Sequence, residues 1–167
     1  MCCLEFFLTF ADLEAQRGSL TMLQTVQREL SIPNDTKYLA TVREAIFDLI
    51  ARSDFPGDDV NRIVLAVDEA VANIIEHAYH DQPNGEMEIG LTLHADAEKF
   101  EVIVADAGHQ FDPHGVGTPN MEEHVRLGKK SGLGIFLMRK IMDQVSYRFR
   151  GSGANELQMI KFAKPSS

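Results

Sequence analysis

The sequence predicts an α/β (α+β) two-layer sandwich, with a mixed, mainly antiparallel sheet and helices on one face. Apolar residues recur at helical spacing in long segments, and five shorter runs alternate apolar and polar side chains. The two kinds of element neither alternate strictly nor segregate fully along the chain, which favours this layered arrangement. At 167 residues the chain fits one domain, since domains hold roughly 100–200 residues.

Each element has its own local signal. Alternation over 26–32 predicts a first strand, and Pro33 ends it, so that Asn34 or Asp35 would cap the next helix. The turn at 81–85 separates two alternating runs, which is typical of a hairpin. The predicted elements are strand 26–32, helix 36–52, helix 58–79, strands 86–94 and 99–106, helix 132–143, and strands 144–150 and 155–163.

The charge of the chain is unevenly distributed. Sixteen basic and 25 acidic residues give a net charge of −9, which argues against a general nucleic-acid or anionic-membrane binder. Residues 124–155 nevertheless hold seven basic residues and one acid, so this segment is +6 and the remainder sums to −15. We expect the basic segment either to surround a compact polyanion or to be a solvated helix face.

The two cysteines, Cys2 and Cys3, are adjacent and cannot connect distant parts of a fold. We therefore expect a protein of a reducing compartment, the cytoplasm. The apolar opening of the chain is short for a membrane span and lacks the basic start of a signal peptide. We expect residues 1–24 to be an N-terminal extension that need not be ordered, and residues 25–167 to form the domain.

A polar stripe accompanies the apolar face of the second predicted helix. Its members follow at spacings of three and four, which places them on one side of the helix: Glu69, Asn73, Glu76, His77 and His80. A solvated face is the simpler explanation, yet Glu69 and Asn73 sit among Ala, Val and Ile residues. A carboxylate and an amide one turn apart can hold Mg²⁺ and position a proton acceptor beside it.

Zinc binding is the competing interpretation of this stripe. His77 and His80 stand three residues apart, but no third ligand follows at a recognisable spacing and an HExxH motif is absent. We do not expect a zinc site.

Two further motifs carry glycine. Asp106-Ala107-Gly108 ends an alternating strand, where an acid can accept from an exocyclic amine, although turn residues are common there. The run 128–135 (GKKSGLGI) leads into a helix, where free N–H groups attract phosphate; a simple helix cap explains it too. The glycine spacing of this run fits neither a Walker A loop nor a Rossmann fingerprint.

In order and spacing, the three motifs resemble the N, G1 and G2 boxes of the GHKL ATP-binding superfamily, which includes gyrase, histidine kinases and MutL. Residues 66–79 (AVDEAVANIIEHAY) look like the N box of the anti-sigma-factor serine/threonine kinases. The match extends through 106–113, 131–138 and Asn155-Glu156-Leu157, and spans about 26–163. The resemblance implies a Bergerat-type ATP-binding fold.

The resemblance also implies a role for each matching residue. Glu69 would be the catalytic base for a serine or threonine hydroxyl, and Asn73 would bind the Mg²⁺ that bridges the phosphates. Asp106 would accept from the adenine amine, with Gly108 allowing the base to approach. His77 would line the phosphate side. The triphosphate would meet the glycine-rich helix start, under a lid at about 113–131, through Lys130, Ser131, Gly132, Leu133 and Gly134.

Two positions depart from the pattern. Gln110 stands where many relatives have a glycine, and Lys130-Ser131 replace a more glycine-rich start. By resemblance the chain is a cytoplasmic, ATP- and Mg²⁺-dependent kinase and anti-sigma factor, a homodimer that phosphorylates a STAS-type antagonist and holds a sigma factor. The alternative is a nucleotide-gated binding switch without kinase activity. A histidine-kinase fragment is disfavoured because no histidine precedes Asp58, and a gyrase-like ATPase because a transducer domain is lacking.

Overall fold

The computed structural model describes residues 25–81, 83–109, 133–150 and 154–164. Within these ranges the regular elements are β1 (Val26–Pro33), α1 (Leu39–Arg52), α2 (Val60–Asn73), β2 (Glu88–Ala95), β3 (Lys99–Asp106), α3 (Leu133–Ile141), β4 (Gln144–Arg150) and β5 (Ala154–Phe162). Each predicted strand and helix therefore exists, with ends shifted by a few residues. In this described part of the chain, every helix is too short or too polar to cross a bilayer.

The five strands form one sheet in the order β1-β2-β3-β5-β4. All four pairings are antiparallel, so the described strands contain no parallel pair. The layered fold with a mainly antiparallel sheet is confirmed. Because β3 and β5 are central neighbours, their register sets Asp106, the last residue of β3, opposite Asn155 near the start of β5.

The hydrophobic core lies between the sheet and the helices. Alternate residues along β2 and β3 are buried on one face, and α1 packs against β1 and β2 while α2 packs against both α1 and α3. This is the pattern of an antiparallel sheet covered on one side. Fully buried side chains of this core include Ile46 and Ile63 from the helices and Leu93, Phe100 and Met159 from the sheet.

The junction between β1 and α1 settles which residue caps the helix. Asp35 accepts a hydrogen bond from the Lys37 N–H at 3.0 Å and caps a short 3-10 turn that leads into α1. Asn34, only 1% exposed, instead accepts from the N–H groups of Gly85 (2.8 Å) and Met87 (3.0 Å). The buried amide thus satisfies the turn before β2 and ties it to the end of β1.

The second predicted helix is not one regular α-helix. A 3-10 turn at Gly57–Asp59 precedes α2, and a π-helical turn at Ile74–Ala78 follows it. The wider π turn rotates the residues after Asn73 away from the positions that a regular helix would give them. The predicted polar stripe is therefore broken at its centre.

Gly108 allows the end of β3 to pack directly on the π turn. A Cβ atom at this position would lie 2.6 Å from the Ala78 carbonyl oxygen and 2.7 Å from the Ala78 Cβ. The adjacent His109 N–H donates to the Ala78 oxygen at 2.8 Å. The glycine is required here by the helix backbone, whereas the sequence motif alone suggested that it makes room for a nucleotide base.

We expect Gly108→Ala to destabilise the fold by about 1–3 kcal/mol, because overpacking against backbone atoms forces the strand end away from the helix. Thermal denaturation would measure the loss. Gly57→Ala is the matched control, since nothing lies within 4 Å of a Cβ at that position. An equal melting temperature for Gly108→Ala and the wild type would contradict the close contact.

Candidate active site

A cavity opens between α2, α3 and the ends of the central strands. The space within and in front of it, open solvent included, is about 490 Å³. Its walls are mostly apolar. The polar residues in its lining are Asn73 near α3, Asp106 and His109 at the end of β3, and Asn155 and Glu156 near the start of β5. Apolar walls with a few placed polar groups are the usual form of a site for a flat organic ligand. The apolar walls include Ile74, Ile135, Met138 and Phe149.

Asp106 lines this cavity, and one of its carboxylate oxygens accepts two hydrogen bonds. Its Oδ1 accepts from the Gly108 N–H at 2.8 Å and from Asn155 Nδ2 at 3.0 Å. Its Oδ2 has no hydrogen-bond partner among the described residues. The Asn155 amide also donates to the Gly108 carbonyl oxygen at 3.0 Å, so one side chain holds both the acid and the turn behind it.

Tyr79 contacts the backbone of the Asp106–Gly108 turn. Its side chain is 2% exposed, and its hydroxyl accepts from the Ala107 N–H at 3.0 Å. Burial raises the pKa of the Tyr79 hydroxyl, and the negative charge of Asp106 acts in the same direction. The phenol therefore stays neutral and holds the Asp106–Gly108 turn in place.

The first turn of α3 lies against two polar side chains of α2. A Cβ on Gly134 would lie 2.6 Å from Glu69 Oε2 and 3.0 Å from Asn73 Nδ2. The absence of a side chain at 134 thus lets the start of α3 reach this carboxylate and amide. N–H groups in the first turn of a helix lack intrahelical partners and favour anionic ligands.

Asn73 could supply its amide oxygen to a hydrated Mg²⁺. The amide nitrogen of Asn73 is buried without a hydrogen-bond partner in the described ranges; because this nitrogen is a donor, an acceptor such as a water or phosphate oxygen fits it. The described residues contain no group of three or more His, Cys, Asp or Glu that could hold a metal ion alone. Mg²⁺ needs no such group, because it commonly keeps waters and substrate phosphates as most of its ligands.

Asp68 belongs to a different contact from its neighbour Glu69. Its Oδ2 pairs with Arg43 Nε at 2.5 Å, which joins α2 to α1, while its Oδ1 is buried without a partner in the described structure. Burial raises the pKa of the Asp68 carboxyl, and the Arg43 charge opposes this rise. Of the two adjacent acids, only Glu69 is thus placed beside α3.

The comparisons with known proteins agree with this geometry. Residues 32–161 match the family model of the histidine kinase-like ATPase domain. The chain belongs to this family. It is 33% identical over 121 residues to the serine-protein kinase RsbW of Bacillus velezensis, covering 70% of this chain and 74% of the relative. It is 31% identical over 138 residues to RsbW of Bacillus licheniformis, covering 80% and 84%.

Solved structures show the same fold. The crystal structure of the SiaB-SiaC complex from Pseudomonas aeruginosa includes a chain with a TM-score of 0.59 and 12% identity, covering 90% of this chain and 97% of that one. A crystal structure of the RsbU and RsbW domains of a Mycobacterium tuberculosis protein matches with a TM-score of 0.55 and 16% identity. This match covers 84% of this chain and 34% of that one. The resemblance to the anti-sigma-factor kinases, made from sequence motifs, is confirmed at the level of family and fold.

One predicted site residue of this ATPase domain lies outside the cavity lining, and several others lie outside the described residues. His77 is exposed and does not line the cavity, because the π turn displaces it from the Asn73 face. Residues 1–24 and the lid at 113–131 lie outside the described residues. So do Gln110, Lys130, Ser131, Gly132 and the side chain of Leu133.

The basic residues of the segment 124–155 that the structure describes do not all face the cavity. Tyr147 and Phe149 line the cavity, so Arg148 between them projects from the opposite face of the sheet. Arg139 and Lys140 are exposed at the end of α3. The expectation that this charge collects around a polyanion is therefore wrong for Arg148.

Asn155 and Tyr79 are the residues that the sequence motifs did not assign to the site. Tyr79 ends the helical run of the N box, and Asn155 begins the last matching run, so both were visible as part of the resemblance. Their contacts depend on the register of β3 with β5 and on the π turn. Neither feature can be seen in a single sequence.

We expect Arg43→Ala to lower the free energy of unfolding at pH 7 by about 1 kcal/mol, the scale for a partly exposed group that leaves its partner unpaired. The deficit should shrink at pH 5. The folded-state pKa of Asp68 lies above its usual value and would rise further without Arg43, so proton uptake by Asp68 favours the folded state as the pH falls. Melting temperatures at the two pH values measure this.

Arg28→Ala is the matched control for this change, since Arg28 forms an exposed ion pair with Asp48 at 3.3 Å. It should alter stability little at either pH. A deficit for Arg43→Ala that stays the same or grows at pH 5 would show that Asp68 does not take up the proton.

Proposed function

We propose that this protein is an ATP-dependent serine/threonine kinase that acts as an anti-sigma factor. The observation that carries the proposal is the convergence of the Glu69 carboxylate, the Asn73 amide and the start of α3 at Gly134 beside a cavity that contains Asp106. The relatives named serine-protein kinase RsbW support it, since they match most of the chain.

ATP would bind with its base at the strand ends and its phosphates at the helices. The free oxygen of Asp106 accepts a hydrogen bond from the adenine amine, and the apolar walls cover the faces of the ring. The phosphates extend toward Asn73 and the first turn of α3, where unpaired N–H groups favour anions. Asn73 would hold Mg²⁺, which neutralises phosphate charge when it is bound.

Glu69 would act as the general base in the transfer. The hydroxyl oxygen of a serine or threonine attacks the γ-phosphorus in line, and the bond from that phosphorus to the bridging oxygen breaks. The hydroxyl proton passes to the Glu69 carboxylate, and ADP carries the negative charge of the broken bond. A base placed in this way contributes about 10²–10⁴-fold to the rate.

The partners follow from the same resemblance. The substrate hydroxyl would belong to a STAS-type antagonist, and the unoccupied kinase would sequester a sigma factor as a homodimer in the cytoplasm. The relatives are named serine-protein kinases, which supports a protein substrate that carries a serine. The neighbour solved in the SiaB-SiaC complex supports a fold that engages a second protein. A nucleotide-gated switch without kinase activity is the alternative; the placement of Glu69 against Gly134 favours the kinase.

We expect Glu69→Ala to retain ATP binding and to lose phosphorylation by at least about a hundredfold, because it removes the proton acceptor but leaves the base pocket. Transfer of radiolabelled phosphate from ATP to STAS-domain antagonists measures the reaction, and calorimetry measures ATP binding. Asn73→Ala should instead weaken Mg²⁺-dependent nucleotide binding.

Glu44→Ala is the control, since Glu44 is an exposed carboxylate on α1 away from the cavity. It should label the antagonist at the wild-type rate. Undiminished labelling by Glu69→Ala would remove Glu69 from the mechanism. A wild-type protein that binds ATP tightly but labels no antagonist would favour the switch.

A further inference from the structure

The carboxylate of Asp106 is occupied on one oxygen only. Oδ1 accepts two hydrogen bonds, from the Gly108 N–H at 2.8 Å and from Asn155 Nδ2 at 3.0 Å. A carboxylate offers about four lone-pair sites, two on each oxygen. Oδ1 therefore has no site left for a ligand, while Oδ2 keeps both of its sites within the described structure.

The orientation of the Asn155 amide follows from its neighbours. Its nitrogen faces Asp106 Oδ1 and the Gly108 carbonyl oxygen, both at 3.0 Å, and both of these atoms are acceptors only. The reverse orientation would set three oxygens against one another. The register of β5 on β3 places Asn155 directly opposite Asp106, so the pairing of these strands positions the Asn155 amide as a donor to the carboxylate.

Purine bases differ in the hydrogen-bond donors and acceptors that they present to such a carboxylate. The edge of adenine offers a single exocyclic amine at position 6. Guanine offers a ring N–H at position 1 and an exocyclic amine at position 2, side by side, and these two donors pair best with both oxygens of a carboxylate. Guanine also has an acceptor at position 6, which a carboxylate oxygen repels.

We propose that Asn155 is a specificity-determining residue. By filling Oδ1 together with the Gly108 N–H, it leaves Asp106 able to accept from one donor, which selects a 6-aminopurine nucleotide and rejects guanine. This rests on the proposed nucleotide binding and deepens it. The same acid with Oδ1 free would accept the paired donors of guanine.

The removal of the Asn155 amide therefore opens a lone-pair site on Oδ1 and keeps the proposed contact between Oδ2 and the adenine amine. The Gly108 N–H still occupies one site of Oδ1, and Tyr79 still holds Ala107 through its hydroxyl. The turn thus keeps two of its supports when the amide is lost. Asn155→Leu preserves side-chain size and removes both donor hydrogens.

The experiment measures the dissociation constants of ADP and GDP by calorimetry, with Mg²⁺, for the wild type, Asn155→Leu and Gln158→Leu. Gln158 is the matched control: its amide lies on the same strand, faces the other side of the sheet and bonds to Glu101. Circular dichroism and thermal denaturation show whether each variant is folded.

We expect the wild type and Gln158→Leu to prefer ADP strongly. Asn155→Leu should narrow the ADP-over-GDP ratio by about tenfold or more, mainly through tighter GDP binding, since a hydrogen bond to a charged group is worth this much. An unchanged ratio in Asn155→Leu, or the loss of both nucleotides from a folded variant, would overturn the proposal.

Two results for the wild-type protein distinguish a failure of the proposed nucleotide binding from a failure of the proposed role of Asn155. A wild type that binds neither nucleotide contradicts the proposed function itself. A wild type that binds ADP and GDP equally leaves nucleotide binding intact and overturns only the role of Asn155, whether or not the variant folds.

Discussion

The close approach of α3 to α2 is the contact on which the candidate site depends. Gly134 has no side chain, and any Cβ there would lie 2.6 Å from the Glu69 carboxylate. Because Gly134 has no side chain, the N-terminus of α3 lies close to both the Glu69 carboxylate and the Asn73 amide. The amide nitrogen of Asn73 is buried there and has no hydrogen-bond partner in the described structure, so a ligand acceptor at this contact would satisfy it.

A second glycine contact fixes the other end of the site, with a different physical consequence. Gly108 meets backbone atoms of Ala78, which cannot move aside, whereas Gly134 meets the end of a flexible side chain. The first contact therefore concerns stability, and the second concerns the position of the Glu69 carboxylate. The segment from Glu69 to Ala78 joins the two contacts, so α2 and its π turn set the distance between them.

Much of the fold could be predicted from local patterns. Alternation defined β2, β3 and β4, and helical spacing defined α1 and the start of α2, because burial on one face imposes those periods. The π turn could not be predicted, since residues 66–79 have the pattern of one regular helix. The exposed position of His77, outside the cavity lining, could not be predicted either. The order of the strands in the sheet could not be predicted from the sequence either. Asp106 and Asn155, which are 49 residues apart, meet only through it.

The most direct test of the site is the transfer of radiolabelled phosphate by Gly134→Ala to a STAS-domain antagonist that the wild type phosphorylates. The added Cβ displaces the Glu69 carboxylate, and a misplacement of about 1 Å at a reacting group lowers rates on the order of a hundredfold. We expect that loss together with retained ADP binding and a nearly unchanged melting temperature. Transfer at the wild-type rate by a folded, ADP-binding Gly134→Ala protein would show that the contact between Gly134 and Glu69 is not part of the catalytic arrangement.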